Sequence, residues 1–477
     1  MDSPVISPNS VARQAVVLGA GMAGLVAARV LADHVDRVVV VEQDALPTEA
    51  EARNGTPQSR HVHVLLNRGR TILNRLFPGL SESLFAAGCP RIDAVQDLAW
   101  LTPAGWGIRY PSKYVSPAAS RPLLEWAVRD QLARNPRIAF LPERRAASLV
   151  ASDDGSRVLG VRIGPRRGSA ETDADAEPLL ADLVVDATGR GSRATAWLRD
   201  LGYPEPPRTE INAFLGYSSR YYRLPAEPAR DWQGLYIQAR LPADLRSGVL
   251  FRLENDRWIC TLGGYGKDYP PTDEEGFLAF AGSLRSPLLY ETIRTAEPLG
   301  PAVANRTSAN IWQHYEKLPR WPDGFVVLGD AVCAFNPVYG QGMSMAAKEA
   351  MVLDRCLQEQ HRRRPAGDLA GLARRFQQQL APTIQPVWTI ATGEDRRVPG
   401  VEGGQPGRSA QLLYWYLGRV IQLTTEDIFA RQIFFEVLNL DQPTALLFHP
   451  RLVAKVILGP TGRAYPGPRE RNRAATS

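Results

Sequence analysis

The residues with the clearest chemical purpose fall in three separated segments. The first runs Val16-Val17-Leu18-Gly19-Ala20-Gly21-Met22-Ala23-Gly24. Gly19 permits the tight turn that ends a strand, Gly21 lets the backbone approach a pyrophosphate, and Gly24 lets a helix pack closely on the strand. The helix opening at Met22 and Ala23 offers free amide N–H groups and the positive end of its dipole to an anion. Glu42, followed by Gln43, closes the next apolar run. A carboxylate there accepts hydrogen bonds from ribose hydroxyls and repels a 2′-phosphate, so the pattern fits FAD or NAD over NADP. The competing reading is an ordinary glycine-rich strand–helix turn, which the strand–GxGxxG–helix context disfavours.

The second segment is Phe325–Ala350, FVVLGDAVCAFNPVYGQGMSMAAKEA. Asp330 sits where it can accept hydrogen bonds from a polyol such as a ribityl chain. Pro337, Gly340 and Gly342 form a turn that opens a helix around Ser344. Its N-terminal amides suit negative charge developing at one side of a reduced flavin. The third segment, Leu183–Arg193, carries Asp186, Gly189, Arg190 and Ser192.

These segments need particular elements beneath them. Residues 15–18, 38–41, 183–185 and 325–328 are short apolar runs that read as buried strands, and a helix follows Gly21 with Leu25, Ala28 and Leu31 on one face. Residues 43–63 are polar and loop-like, with helical patterns near 67–86 and 121–134. The charged stretch 165–178 reads as a hairpin tip. After a proline cluster at 204–207 the texture changes, from about 209 to 312, to a largely antiparallel sheet. Its hairpin pairs Gly248–Leu253 with Trp258–Leu262 around Glu254–Arg257. Residues 366–459 are helical, with amphipathic runs such as Leu412–Leu423. The tail, Arg463 to Arg473, is polar and expected to fray.

Composition bounds the function classes. The chain has 477 residues, is 44% hydrophobic and 22% charged, and so can bury a large core. The net charge is +6, but arginines are scattered rather than gathered in a stripe with interleaved aromatics, which argues against nucleic acid. Cys89, Cys260, Cys333 and Cys356 lie far apart, with no CxxC pair, so they read as reduced thiols in a cytoplasmic protein. The N-terminus lacks the basic region of a signal peptide, and the glycine motif explains the apolar stretch 15–32 better than a membrane span does.

Taken together, in this order and spacing, the three segments resemble the para-hydroxybenzoate hydroxylase fold of class A flavin monooxygenases over about residues 12–360. The resemblance implies an α/β fold: a Rossmann-type FAD-binding domain of the GR2 type, interleaved with an antiparallel-sheet substrate domain, plus a C-terminal helical region. The expected division is 12–208 with 313–360 for FAD, including substrate-domain segments near 85–120. Residues 209–312 form the substrate sheet, 361–460 the helical region and 461–477 a flexible tail.

By the same resemblance Gly19, Gly21, Gly24 and Glu42 hold the ADP part of FAD, Asp330 holds the ribityl chain, and Gly340 to Met343 sit under the isoalloxazine. Arg121 matches a family arginine near the pyrophosphate. The residues Gly55, Pro57, Gln58, Arg60, His61 and His63, with those of the second segment, are similar to bacterial polyene epoxidases of polyether-antibiotic pathways. One departure stands out. The family's middle motif carries Asp-Gly, tied to FAD and NAD(P)H; here Thr188-Gly189 stands instead, preceded by Asp186.

His61 and His63 alternate and would face the same way on an extended segment. They lack a third ligand for a metal, so flavin or substrate lining competes with a structural role hydrogen-bonded to backbone. Arg60 faces the other side and is a flavin candidate. In the 209–312 sheet the aromatics Tyr217, Tyr221, Trp232, Tyr236, Phe251 and Trp258 are candidate lining residues or core, with Tyr217, Tyr236, Phe251 and Trp258 taken as the substrate set. No catalytic side chain stands out.

The resemblance implies an FAD-dependent monooxygenase of bacterial secondary metabolism. NAD(P)H is its reductant, directly or through a separate flavin reductase, and O2 its co-substrate. One oxygen atom would pass from a flavin C4a-hydroperoxide to a large apolar metabolite, by alkene epoxidation or hydroxylation. The C-terminal block, with Trp388, Trp415 and Tyr416, would lid the pocket or form homodimer contacts. Two rivals remain: a non-redox flavoprotein cyclase of polyketide-like chains, and an FAD-dependent reductase of prenyl-like chains. A halogenase is disfavoured by the lack of a WxWxIP signature.

Overall fold

The structure, a computed structural model, describes residues 13–166, 176–226, 230–306, 309–365, 367–404, 407–459, 462 and 465–468. The centre of the charged stretch 165–178 and most of the tail beyond 460 lie outside the described residues, as do residues 1–12.

The apolar runs form one parallel sheet. In spatial order its strands are Phe325–Val327, Leu183–Asp186, Gln14–Leu18, Arg37–Val41 and Ile138–Leu141. Val17 lies opposite Val185 on one side and Val40 on the other. Nearly every residue of the three central strands is fully buried, which is why they read as continuous apolar runs rather than alternating ones. Helices cover both faces of such a sheet. α1 (Met22–Leu31) returns the chain to the second strand, and α2 (Asn67–Leu76), α3 (Leu80–Ala86) and α4 (Arg121–Ala133) follow. α4 is capped by Ser120, whose hydroxyl accepts the Leu123 N–H. α5 (Ala194–Asp200) closes the middle segment.

The strand-rich stretch forms an eight-stranded sheet. Its hairpin joins Arg246–Arg252 to Arg257–Gly264 through Glu254–Asp256, where Asn255 and Asp256 take left-handed backbone conformations with φ of 60° and 52°. The sheet is not purely antiparallel, because Leu98–Thr102 arrives from a distant part of the chain and pairs parallel with Gly234–Ile237. Two helices not foreseen in the sequence, α6 (Glu274–Gly282) and α7 (Leu288–Ile293), pack on one face of this sheet. Phe277, Phe280 and Leu289 fill that side as a separate core.

The chain then enters α8 (Gly342–Arg363), which packs against α1, α2 and α9 (Leu372–Asp395). α10 (Arg408–Leu423), α11 (Ile428–Leu438) and α12 (Pro450–Leu458) form a third core around Val420, Ile433 and Leu452. Phe435 of α11 belongs elsewhere: it packs with Leu98, Trp100 and Tyr114 and so ties the C-terminal helices to the large sheet. Among the described residues no helix is long and apolar enough to cross a membrane. The four cysteines are unpaired and buried.

Candidate cofactor and substrate site

The first corner follows from its glycines. Gly19 has φ +96°, and its N–H donates to the Val41 carbonyl at 2.8 Å. A Cβ on Gly24 would stand 1.8 Å from the Gly19 carbonyl oxygen, so only glycine allows α1 to pack on the turn. Gly24 therefore acts through packing and does not line the cavity, a correction to its place among the cofactor contacts. Gly21 is the opposite case: a Cβ there would meet nothing within 4 Å, because the position faces open space. α1 begins with no side-chain cap and no acid in its first turn, which leaves its N-terminal amides free for an anion.

Glu42 is buried beside this corner. Its Oε2 accepts the Ala20 N–H at 2.7 Å and pairs with Arg53 at 3.1 Å, and its Oε1 accepts the Asp44 N–H at 3.0 Å. Protein donors thus already engage both oxygens, although a carboxylate has further lone pairs for ribose hydroxyls. Arg53, not singled out in the sequence, is buried and also pairs with Glu125, which Arg121 contacts at 3.2 Å.

The second corner mirrors the first. The strand Phe325–Val327 leads into Gly329, φ +69°, whose N–H donates to the buried carboxyl of Glu349 on α8. Burial pushes the Glu349 carboxyl up to about 8, with the Gly329 N–H acting against the shift. Asp330 projects into the cavity, and among the described residues its carboxylate has no hydrogen-bond partner. Asp330 is exposed to the open cavity, and desolvation by the surrounding walls raises its pKa, while Arg190 and Arg121 oppose that. Gly340, φ +63°, ends the Pro337–Tyr339 turn, and a Cβ on Gly342 would meet nothing within 4 Å. α8, like α1, starts without a side-chain cap or an acid in its first turn.

The middle segment is organised by Asp186. Its Oδ1 accepts the Thr188 N–H and hydroxyl at 2.9 and 2.6 Å, and its Oδ2 accepts the Ser192 hydroxyl at 2.7 Å. Asp186 is fully buried and shapes the turn, while Thr188, Gly189 and Arg190 reach the cavity. Arg190 is fixed by donating to the Ala309 and Phe335 carbonyls, both at 2.8 Å.

The loop with the two histidines closes the space between the corners and the large sheet. His61 Nδ1 lies 2.8 Å from the Ser219 hydroxyl, which meets the Thr261 hydroxyl at 2.6 Å. Burial, with Arg60 adding to it, pushes His61 down to about 4. His63 Nδ1 lies 3.0 Å from the His61 carbonyl, and burial together with Arg121 pushes it down to about 3. Both rings are neutral at physiological pH, and both line the cavity, His63 while bonded to backbone. Tyr217 meets the His61 ring edge-on at 4.5 Å and accepts a hydrogen bond from Asn305 at 2.9 Å.

One cavity of about 1270 Å³ joins these parts. Gly19, Gly21, Met22, Ala23, Glu42, Gln43, Arg60, Arg121, Gly189, Asp330, Pro337, Gly340, Gly342 and Met343 all line it. So do Tyr217, Tyr236 and Phe251. Trp258 does not, and the reason is strand parity. On Arg257–Gly264 the residues Thr261 and Gly263 face the cavity, whereas Trp258, Cys260 and Leu262 face the core under α6 and α7. There Trp258 packs edge-on against Trp232 at 5.8 Å, so neither indole reaches the cavity. Tyr221 is also absent from the lining and is covered by Arg257, 5.4 Å above its ring.

The far wall was not legible as a site. Trp100 and, from α11, Phe434 and Phe435 line it, with Leu417 and Ile421 from α10. Of the expected lid aromatics, Trp388 packs on Trp312 and Tyr416 is buried among the C-terminal helices, while Trp415 is half exposed at 51%. Glu349 could have been noticed as an acid in the apolar run after Gly342, seven residues on and hence on the same helix face.

These features fit FAD. Two uncapped helix N-termini, each with a glycine whose missing side chain leaves open space, meet in one cavity beside Asp330, which has no partner among the described residues. The volume exceeds the roughly 300–1,000 Å³ of ordinary small-ligand pockets, which leaves room for a second molecule.

The chain is 34% identical to Protein Rv3254 of Mycobacterium tuberculosis over 380 residues, 79% of this chain and 78% of that protein. It belongs to that protein's family. It is also 27% identical to a kynurenine 3-monooxygenase of Salinispora arenicola over 379 residues, 72% of each chain. Among solved structures, PqsL of Pseudomonas aeruginosa, described as a probable FAD-dependent monooxygenase, superposes with a TM-score of 0.59 at 17% identity. That likeness covers 80% of this chain and 95% of PqsL. No protein-family model matches the chain. The fold is that of the FAD-dependent monooxygenases, for which FAD, O2 and NAD(P)H are the usual set.

Proposed function

We propose that this protein is an FAD-dependent monooxygenase that transfers one oxygen atom to a large apolar metabolite, by alkene epoxidation or hydroxylation. The observation that carries this reading is the single cavity running from the two glycine corners to an aromatic wall. The similarity to a kynurenine 3-monooxygenase supports the chemistry, and the resemblance of residues 55–63 to polyene epoxidases supports the alkene.

When bound, FAD supplies electron transfer and oxygen activation. The chain's own residues do the rest. The N-terminus of α1 would hold the diphosphate together with Arg121, and Asp330 would accept hydrogen bonds from the ribityl hydroxyls. The uncapped N-terminus of α8 would favour negative charge on a group bound beside it. Tyr217, which burial pushes up to about 12, keeps its proton and offers it as a donor toward the cavity. His61 is neutral, and its hydrogen bond to Ser219 ties its loop to the sheet. Trp100, Tyr236, Phe251 and Phe434 exclude water and favour an apolar chain over a charged one.

The test is an assay under ¹⁸O₂ with NAD(P)H and long-chain polyene or prenyl-quinone probes. The proposal expects NAD(P)H-dependent oxygen uptake and one ¹⁸O atom in the product. Product formed without oxygen uptake would mark a cyclase, and turnover under anaerobic conditions a reductase; either result rejects the monooxygenase.

A further inference from the structure

We propose that Asp395, the last residue of α9, is the positioning residue that holds the 336–340 turn in its cofactor-bearing form. The inference rests on the FAD reading above.

Asp395 is fully buried, and its two oxygens are saturated by neutral donors. Oδ2 accepts from Asn310 Nδ2 at 2.6 Å and from Asn336 Nδ2 at 3.0 Å. Oδ1 accepts the Tyr339 hydroxyl at 2.7 Å and lies 3.2 Å from Asn336 Nδ2. Among the described residues no cation pairs with it. A buried carboxylate without a counter-ion is expensive, so its hydrogen bonds must hold it.

The donors cannot turn away. Asn336 Oδ1 accepts the Val338 N–H at 3.1 Å, so its amide nitrogen must face Asp395. Asn310 Oδ1 accepts the Asn336 N–H at 2.7 Å, which orients that amide as well. Only the Tyr339 hydroxyl is free to reverse its role. Two of the three donors, Asn336 and Tyr339, belong to the turn that leads into Gly340 and Gly342, and both line the cavity. Burial raises the pKa of the Tyr339 phenol, and Tyr265, which stands beside it and also lines the cavity, adds to the shift. Burial raises the Asp395 carboxyl to about 6, with Asn336, Tyr339 and Asn310 opposing the shift and Glu394 adding to it. It is thus ionised at pH 8. Asp395 touches the turn and not the cavity, so its effect on the cofactor passes through Asn336 and Tyr339.

The fixed directions make the test specific. In Asp395→Asn the amide oxygen can keep both asparagine donors, and its NH2 can donate to a reversed Tyr339. Asp395→Ala loses every contact. Apoprotein of each variant is titrated with FAD at pH 8 and binding is read from flavin fluorescence. The expected result is a Kd at least tenfold weaker in Asp395→Ala and within about threefold of wild type in Asp395→Asn. Equal affinities in the two variants, whether both tight or both weak, overturn the proposal. If Asp395→Ala does not fold, Asn336→Ala carries the test: the same tenfold weakening is expected, and an unchanged Kd overturns it. A wild-type protein that takes up no FAD refutes the cofactor reading itself, whereas tight wild-type binding with an indifferent Asp395→Ala refutes only this inference.

Discussion

The buried carboxyl of Glu349 accepts the backbone N–H of Gly329, the residue that sets Asp330 in the cavity. Burial lifts Glu349 from 4.5 to about 8, so the folded state favours the protonated acid. The associated stability is fully present below about pH 4.5 and is lost as pH rises toward 8, at up to about 1.4 kcal/mol per pH unit. Glu349→Gln keeps an acceptor for Gly329 and removes the titration. Denaturant unfolding of the apoprotein should show a flatter pH dependence between pH 5 and 8 for this variant. Glu349→Ala strands the Gly329 N–H and should lose about 1–3 kcal/mol.

Gly21 and Gly24 belong to one motif but should fail differently. A methyl group on Gly24 meets the Gly19 carbonyl, so Gly24→Ala should lower the melting temperature of the apoprotein sharply. A methyl group on Gly21 meets only open space. Gly21→Ala should therefore fold like wild type and lose FAD affinity by at least tenfold. Calorimetry paired with FAD titration separates the two, and a Gly21→Ala protein that keeps wild-type affinity counts against the site.

Strand parity predicts a second contrast. Phe251 faces the cavity, and Phe251→Ala should raise KM for an apolar substrate with a modest loss of stability. Trp258 faces the α6–α7 core, and Trp258→Ala should lose roughly 3–5 kcal/mol with KM unchanged where the protein still folds.

Arg431 is fully buried on α11, and among the described residues none of its three guanidinium nitrogens has a hydrogen-bond partner. It lies 4.9 Å from the Phe435 ring and 5.7 Å from that of Trp100, and burial pushes its pKa down to about 10. Two cation–π contacts, each worth about 2 kcal/mol when desolvated, do not fully offset desolvating an unpaired guanidinium with no hydrogen bonds. Arg431→Met should unfold at higher denaturant concentration than wild type; a variant destabilised by more than about 1 kcal/mol contradicts this account.

The glycine corners were legible because their chemistry is local: a strand, a turn with positive φ at Gly19, and a helix occupy adjacent residues. The parallel sheet was legible for the same reason, since Val38–Val41 and Phe325–Leu328 are apolar on both faces. Trp258 was misplaced because facing depends on register against partner strands, and one residue of parity moves a side chain to the other face. Asp395 and Phe434 were missed because each joins the site across a long stretch of chain, and Arg53 because its pairing with Glu125 spans 72 positions. Asp395 meets Asn336 from 59 positions away, and no local pattern marks it.

The central claim is that this cavity holds one FAD, and flavin stoichiometry tests it most directly. Purified protein is reconstituted with FAD, desalted and denatured, and the released flavin is quantified by absorbance. The prediction is one FAD per chain for wild type and a large loss for Asp330→Ala, whose apoprotein should melt like wild type. Folded wild-type protein that retains no FAD after reconstitution contradicts the account.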